Sequence, residues 1–222
     1  MTTDGARPLV SVVIPAYNDE GFLAATIESV LAQTYRPLEV VVVDDGSSDG
    51  TVALARSFGD PVRVVEQENK GPAGARNTGF AAARGSIIAL LDADDLWMPK
   101  RLEACVDLLQ SDPTLGFVTT DAYIIDEDTP TEQRYYGAYQ RYPFPPRGGQ
   151  LDEIAKRNFV FVSAVIVLAA PSSAIVVPLT FDPGLSDANE SRTKGVQVYA
   201  ARMLICEPTL YGTNVRIGEF VS

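Results

Sequence analysis

Short, largely apolar runs recur along the first half of this 222-residue chain and are separated by stretches with helical spacing. The runs are Leu9–Ile14, Leu38–Val43, Val62–Val65 and Ser86–Leu91, and they are rich in valine and isoleucine. Strands that are buried on both faces read as continuous apolar runs, whereas half-exposed strands alternate apolar and polar residues. The pattern therefore predicts an α/β fold with a mostly parallel sheet and helices on both faces.

The stretches between these runs carry the start signals of helices. A first helix is predicted to open at Asp19 and Glu20, and a second one is capped by Ser48 or Asp49. An alanine-rich helix follows from about 73 to 84. A further helix is predicted to begin near Pro99, since proline is common in the first turn.

Polar and acidic residues follow three of the apolar runs directly. They are the Pro-Ala-Tyr-Asn sequence at 15–18, the Asp-Asp-Gly-Ser sequence at 44–47 and the Asp-Ala-Asp-Asp sequence at 92–95. Ligands of parallel sheets bind at the carboxyl ends of the strands. We therefore expect the three clusters to converge at one edge of the sheet.

The cluster at 92–95 has three carboxylates within four residues, and these repel one another unless a cation lies between them. Magnesium and manganese prefer oxygen ligands, and one or two carboxylates plus phosphate oxygens suit them. Helix capping is the alternative interpretation. The position of the cluster at a strand end, beside two other polar clusters, favours a metal site.

The cluster at 44–47 also has two interpretations. A tight turn followed by a helix cap accounts for Gly46, Ser48 and Asp49, but it accounts less well for two adjacent aspartates at the end of a strand. A carboxylate there can accept a hydrogen bond from a ribose hydroxyl or from the N–H of a base.

The composition excludes several kinds of chemistry. The chain has no histidine, which rules out Ser-His-Asp and Cys-His catalysis and histidine-ligated zinc or haem. Its formal net charge of −11 predicts no binding to nucleic acid, and a phosphate ester would need a divalent cation to approach an acidic site. The two cysteines are too few for a disulfide framework and indicate a reducing, cytoplasmic setting.

Two later stretches stand out from this pattern. Residues 158–181 carry no charge, but Pro171, Ser172 and Ser173 interrupt the run of about 20 apolar residues that a spanning helix needs. Two buried strands around a Pro-Ser-Ser turn fit better, so we expect no integral membrane segment. Residues 127–150 are polar, aromatic and proline-rich, and they are too long for a simple connection, which predicts a functional or mobile segment.

Four motifs occur in order along the chain: VSVVIPAYN at 10–18, VDDGSSDGT at 43–51, NKG at 69–71 with ARN at 75–77, and LDADD at 91–95. Together they resemble the family 2 inverting glycosyltransferases of the GT-A fold. The resemblance is strong over about 8–126 and weaker through 158–167 and 181–185. It implies one GT-A-like domain over 1–222: a Rossmann-like nucleotide-sugar-binding half at about 8–126, an acceptor-side half at about 127–188 and a divergent tail at 189–222.

The resemblance also implies a role for each matching residue. A nucleotide-diphospho-sugar, a UDP-sugar in the first instance, would bind at one group of residues, and Mn²⁺ or Mg²⁺ would bind at another and bridge the diphosphate. The implied nucleotide-binding residues are Pro15, Ala16, Tyr17, Asp44, Asp45, Arg76 and Asp94, and the implied metal-binding residues are Asp92, Asp94 and Asp95. A hydroxyl of a saccharide or lipid-linked acceptor would attack the anomeric carbon in line, in cell-surface polysaccharide or glycoconjugate synthesis. The setting implied is cytoplasmic, either free or peripheral at the inner face of the membrane.

The chain departs from the family beyond Leu185. The family has a Glu-Asp pair there, whose aspartate is the usual general base, and then an aromatic, arginine-bearing helix. This chain has Asn189-Glu190, which makes Glu190 the predicted base and Asp187 a second candidate. We expect residues from about 189 onward to pack poorly and transfer to be slow.

Two alternatives remain open: a module that binds donor but is catalytically impaired or inactive, and a sugar-1-phosphate nucleotidyltransferase. The second requires a glycine-rich loop with arginine and lysine near the N-terminus. The sequence at 15–18 does not provide that loop.

Overall fold

Ten strands and four helices are present in the part of the chain that the computed structural model describes, which comprises residues 7–112, 115–126, 129–134, 163, 165–169, 202–206 and 217–218. The strands are β1 (Val10–Ala16), β2 (Leu38–Asp44), β3 (Val62–Glu66), β4 (Ile87–Leu90), β5 (Leu115–Thr120), β6 (Tyr123–Asp126), β7 (Thr129–Arg134), β8 (Val165–Leu168), β9 (Arg202–Cys206) and β10 (Ile217–Gly218). The helices are α1 (Leu23–Leu31), α2 (Thr51–Ser57), α3 (Gly71–Ala82) and α4 (Arg101–Ser111).

Eight of the strands form one mixed sheet in the order β10-β9-β5-β8-β4-β1-β2-β3. Strands β1 to β4 are parallel to one another, β8 lies antiparallel between β4 and β5, and β9 runs parallel to β5. From β1 the chain proceeds outward to β2 and β3, and it then returns to add β4 on the other side of β1. This reversal of strand order opens a crevice at the carboxyl ends of β1 and β4, which is where such sheets bind ligands.

The sheet is covered on both faces, as its apolar strands predict. Val12 and Ile14 of β1 pack into a core that includes Leu23 of α1 and Leu102 of α4. Val13, on the opposite face of the same strand, packs with residues of α3 in a second core. The predicted α/β architecture is therefore confirmed, and the alternation along β1 sends adjacent side chains to different helix layers.

The charge-free stretch at 158–181 contributes the central strand β8. Its residues Val165 and Ile166 are buried, and β8 forms ladders with β4 and β5. This confirms the first of the two predicted strands, while the expected turn at Pro171 and the second strand lie outside the described residues. Within the described ranges, no helix is long and apolar enough to cross a membrane.

Two later segments of the chain also contribute strands. In the stretch at 127–150, Thr129–Arg134 forms β7 and pairs with β6. Beyond residue 189, β9 and β10 extend the main sheet beside β5. The expected poor packing of this tail stays a prediction. The sequence of β9 is largely apolar, which suits a strand.

A buried polar network lies at the amino ends of the strands, at the edge opposite the crevice. The Glu39 carboxylate accepts hydrogen bonds from Ser11 Oγ (2.6 Å), from the Arg84 N–H (2.7 Å) and from Arg63 Nε (3.0 Å). Ser11 Oγ in turn accepts the Gly85 N–H at 2.8 Å. Burial favours the neutral acid, but these donors together hold the pKa of Glu39 below its ordinary value.

Replacing Glu39 with glutamine should therefore destabilise the fold in a pH-dependent way. We expect a loss of about 1–3 kcal/mol in the free energy of unfolding near neutral pH, because three donors lose a charged acceptor. The pKa of Glu39 is lower in the folded state, so its contribution is complete above the unfolded pKa and is lost as pH falls through the folded pKa. Urea unfolding at a series of pH values should show the gap between wild type and variant narrowing in acid.

The matched control is Glu28→Gln on the exposed side of α1, which should leave the free energy of unfolding unchanged at every pH. A gap for Glu39→Gln that stayed constant into acid would contradict the role assigned to its charge.

Candidate active site

A cleft of about 370 Å³ lies at the carboxyl ends of β1, β2 and β4. The loops that follow these strands and the first turns of α3 form its walls. The residues that line it are Pro15, Ala16, Tyr17, Asp19, Asp45, Asn69, Gly71, Pro72, Ala75, Arg76, Asp92, Ala93 and Asp94. The predicted convergence of the three polar clusters is therefore present in the structure.

Most of the predicted site residues lie in this cleft, but two stand back from it. Asp44 and Asp95 are not among the lining residues, although each is adjacent to one that is. The predicted general bases, Glu190 and Asp187, lie outside the described residues.

The loop after β1 is tied to the loop after β2. Asn18 adopts a left-handed backbone conformation, with φ of 56°, which asparagine tolerates better than most residues. Its side-chain oxygen accepts the Ser48 N–H (2.8 Å), and its own N–H donates to Ser47 Oγ (2.9 Å). These reciprocal bonds hold two of the three polar clusters in a fixed relation.

The predicted start of the first helix at Asp19 and Glu20 is wrong, since α1 begins at Leu23. The Asp19 carboxylate instead accepts the Tyr17 N–H at 2.8 Å, and Glu20 Oε2 accepts the Gly50 N–H at 3.0 Å. Both carboxylates are used by loop backbone groups, which delays the helix and leaves Asp19 facing the cleft.

The adjacent aspartates at the end of β2 have different roles. Both are buried, but Asp44 Oδ2 folds back to accept the N–H groups of Gly46 and Ser47, each at 3.2 Å. Asp45 faces the cleft, and its Oδ1 accepts Gln67 Nε2 (2.6 Å) and the Lys70 N–H (2.8 Å). Asp44 therefore shapes the turn, and Asp45 is the carboxylate presented to a ligand.

Helix α3 brings a positive charge to the acidic wall of the cleft. Arg76 Nη2 donates to Asp92 Oδ1 at 2.6 Å, a short charge-assisted hydrogen bond. Within the described part of the chain, Nε of Arg76 is buried and has no hydrogen-bond partner. Buried donors are rarely left unpaired, so this N–H is an exception within the described residues.

Negative charge accumulates around this ion pair. Burial raises the pKa of Asp95 to about 6; a hydrogen bond from the Ser163 side chain opposes the increase, and Asp94 and Asp92 add to it. Burial also raises the pKa of Asp19, the Tyr17 N–H opposes the increase, and Asp94, Asp49 and Asp92 add to it. Five carboxylates from three loops, Asp19, Asp49, Asp92, Asp94 and Asp95, therefore interact around the cleft.

The sequence analysis missed Asp19 as a site residue, because its position before a helical pattern suggested a cap. Asn69 and Gly71 of the NKG motif line the wall where α3 begins, together with Pro72, which the sequence did not predict as a site residue. The positive φ of Gly71 (74°) marks this sharp entry into the helix. Asp19 directly follows the Pro-Ala-Tyr-Asn cluster, and this position was the sequence signal that it belongs to the site.

The described residues suit a divalent cation only in part. No group of three acidic or cysteine side chains converges on a ready-made site within them. Arg76 balances the charge of Asp92, but the neighbouring carboxylates keep an excess of negative charge. This excess favours the binding of a cation. Such a cation would take one or two carboxylates and complete its shell with phosphate oxygens and water, as magnesium commonly does.

Comparison with known proteins agrees with this fold. A family model described as Glycosyl transferase family 2 matches residues 11–166. The chain therefore belongs to glycosyl transferase family 2.

Two curated relatives illustrate the extent of the similarity. An uncharacterized glycosyltransferase of Nostoc sp. is 42% identical over 111 residues, a match that covers 48% of this chain and 34% of that protein. The succinoglycan biosynthesis protein ExoO of Rhizobium meliloti is 48% identical over 102 residues, which is 45% of this chain and 29% of ExoO. The matched region spans about a third of the length of these relatives.

Among solved structures, that of TarS 1-349 from S. aureus superimposes with a TM-score of 0.54 at 19% identity. The match covers 72% of this chain and 47% of the TarS chain. At this level of identity the likeness concerns the fold, and it confirms the GT-A-like architecture.

The position of Arg76 depends on close packing one turn later in α3. A Cβ atom at Gly79 would lie 2.2 Å from Val13 Cγ1 and 3.2 Å from Val43 Cγ2. We predict that Gly79→Ala pushes α3 away from the sheet and lowers the free energy of unfolding by about 1–2 kcal/mol, because overpacking exceeds the gain in helix propensity. Chemical unfolding measures this loss.

The matched control is Gly21→Ala, since nothing lies within 4 Å of its added Cβ. It should be nearly neutral. Equal stability of the two alanine variants would show that α3 can shift without cost.

Proposed function

We propose that the chain binds a nucleotide-diphospho-sugar, a UDP-sugar in the first instance, in this cleft with Mn²⁺ or Mg²⁺. The sugar is then transferred with inversion to a hydroxyl acceptor. The observation that carries this proposal is the convergence of Asp45, Arg76 and the cluster at 92–94 in one cleft of a family 2 fold.

The nucleoside end of the donor belongs at Asp45 and Tyr17. Within the described part of the chain, the hydrogen bonds of Asp45 use Oδ1, which leaves Oδ2 for a base N–H or a ribose hydroxyl. Tyr17 is half exposed on the same wall and offers an aromatic face to the base. Gln67 and the Lys70 N–H hold the Asp45 carboxylate before the ligand arrives.

The diphosphate belongs between Arg76 and the carboxylates at 92–95. Arg76 lines the cleft, and its guanidinium can attract a phosphate group while Nη2 stays on Asp92. Asp94 is exposed on the facing wall, with Asp92 and Asp95 beside it as the other expected metal ligands. A bound divalent cation would supply positive charge to the diphosphate leaving group.

The acceptor is a hydroxyl of a saccharide or a lipid-linked saccharide. The relative ExoO is named for succinoglycan biosynthesis, which supports a role in polysaccharide or glycoconjugate synthesis. We place this reaction in the cytoplasm, either free or at the inner face of the membrane, where nucleotide sugars are available to such an enzyme.

Binding of UDP should stabilise the protein only when a divalent cation is present. A ligand at about 100 times its dissociation constant adds about 2.7 kcal/mol to the stability of the folded state, enough for a clear shift in the melting temperature. We expect this shift with Mn²⁺ or Mg²⁺ and its loss in EDTA. An equal shift in EDTA would contradict a metal-bridged donor.

Asp45→Asn tests the nucleoside contact within the same assay. It should weaken UDP binding while metal-dependent binding of inorganic pyrophosphate persists. Asp107→Asn, on the exposed side of α4, is the matched control and should bind both ligands like wild type. Unchanged UDP affinity in Asp45→Asn would place the base elsewhere.

We propose Glu190 as the general base, with Asp187 as the second candidate. A base must come within about 2.6–3.2 Å of the acceptor hydroxyl, and a misplacement of about 1 Å can cost 10²-fold. We therefore expect slow transfer by the wild-type chain, and a further drop of about 10²-fold or more in Glu190→Gln with donor affinity unchanged. Donor calorimetry and a transfer assay measure the two quantities separately.

Equal transfer rates in wild type, Glu190→Gln and Asp187→Asn would exclude both residues as the base. Donor binding without any transfer would instead support the alternative of a donor-binding module.

A further inference from the structure

Ser163 lies at the junction between the two halves of the sheet and is almost fully buried, with 3% of its surface exposed. Its Oγ accepts the Asp92 N–H at 3.0 Å and hydrogen-bonds to the Asp95 carboxylate. Its carbonyl oxygen accepts Trp97 Nε1 at 3.2 Å. One residue from the C-terminal half thus contacts both ends of the acidic cluster and the aromatic residue that follows it.

The strand register explains why this serine reaches the cluster. In the antiparallel pair of β4 and β8, Ile87 lies opposite Leu168 and Ala89 lies opposite Ile166. Continuing this register past the carboxyl end of β4 places position 163 opposite position 92. The serine is therefore carried to the acidic cluster by the strand that the charge-free stretch contributes.

We infer that Ser163 is a positioning residue for the carboxylates at 92–95, and the inference rests on the proposed metal-dependent donor binding. A hydroxyl has one proton to donate and two lone pairs that accept. Donation to Asp95 together with acceptance from the Asp92 N–H uses both functions. The Asp95 N–H also donates to the Asp92 carbonyl at 3.2 Å, which closes the turn between them.

The bond to Asp95 matters because this carboxylate is desolvated and lies beside two others. Without a donor, like-charge repulsion and burial would favour rotation of the side chain toward solvent. Ser163 holds the Asp95 carboxylate in place before a cation arrives. Binding of the cation then needs less reorganisation, which is the usual benefit of a preorganised ligand.

Packing alone does not account for a serine here. An alanine would fill the site nearly as well and would avoid burying a hydroxyl. Trp97 bonds to the backbone oxygen of residue 163, so this contact survives removal of the side chain. Ser163→Ala therefore removes the bonds to Asp92 and Asp95 and leaves the bond to Trp97.

The test compares Ser163→Ala, Ser163→Cys and Ser163→Thr by calorimetric titration with UDP, in Mg²⁺ and in EDTA. The thiol keeps the size of the side chain but is a weak donor, and threonine restores a hydroxyl. We expect the metal-dependent gain in UDP affinity to fall about tenfold in the alanine variant, less in the cysteine variant and little in the threonine variant. Affinity in EDTA should not change.

Two further measurements separate positioning from general stability. Ser29→Ala is the matched control, because Ser29 Oγ accepts the Trp97 N–H at 3.1 Å but contacts no carboxylate of the cluster. It should lower the melting temperature and keep the metal-dependent gain. Trp97 is the single tryptophan of the chain, so its fluorescence emission reports on the environment of this loop without any enzymatic assay.

A metal-dependent gain in Ser163→Ala within about twofold of wild type would overturn the inference. An equal loss of that gain in Ser29→Ala would overturn it too, because the effect would then come from loop stability. Wild-type protein that binds UDP equally with and without Mg²⁺ would refute the proposed metal dependence itself, a result distinct from both. If Ser163→Ala does not fold, the comparison of the cysteine and threonine variants decides.

Discussion

Repulsion among carboxylates at the carboxyl edge of the sheet is the constraint around which the site is built. Asp19, Asp92, Asp94 and Asp95 come from two loops, and the fold of the parallel strands brings them together. Among the ion pairs of the described residues, that of Arg76 with Asp92 is the one that reaches this group. Arg76 on α3 holds Asp92, and the hydroxyl of Ser163 holds Asp95, so these carboxylates stay close to one another. A cation with a diphosphate ligand would balance the excess negative charge that remains.

The two edges of the sheet show how differently buried charge can be managed. At the amino edge, Glu39 is surrounded by donors from Ser11, Arg63 and the backbone of Arg84, so its charge is balanced within the protein. At the carboxyl edge, burial raises the pKa of Asp95, the hydrogen bond from Ser163 opposes this rise, and the neighbouring Asp94 and Asp92 add to it. The first arrangement stabilises the fold, and the second stores an unfavourable charge where a ligand can bind.

The division of the sheet assigns different tasks to the two parts of the chain. The parallel half from β1 to β4 supplies most of the cleft. Strand β8 joins the two halves, since it pairs with β4 on one side and β5 on the other. Ser163 precedes β8 and accepts the Asp92 N–H, so the second half of the sheet also contacts the wall of the cleft.

Much of this protein can be predicted from local sequence alone. Apolar runs predicted β1 to β4, and the polar residues after them predicted one cleft, because strand ends and turns depend on nearby residues and on the geometry of parallel sheets. The choice between Asp44 and Asp45 required the tertiary structure, since adjacent residues of a strand face opposite ways and the turn bonds decide which one a ligand meets. The late start of α1, the exposure of Asp19 to the cleft and the contact of Ser163 with Asp92 and Asp95 also came from the structure. The Gly50 N–H that Glu20 accepts is 30 positions away, and the Asp92 N–H that Ser163 accepts is 71 positions away. Local propensity carries no information about such distant pairings.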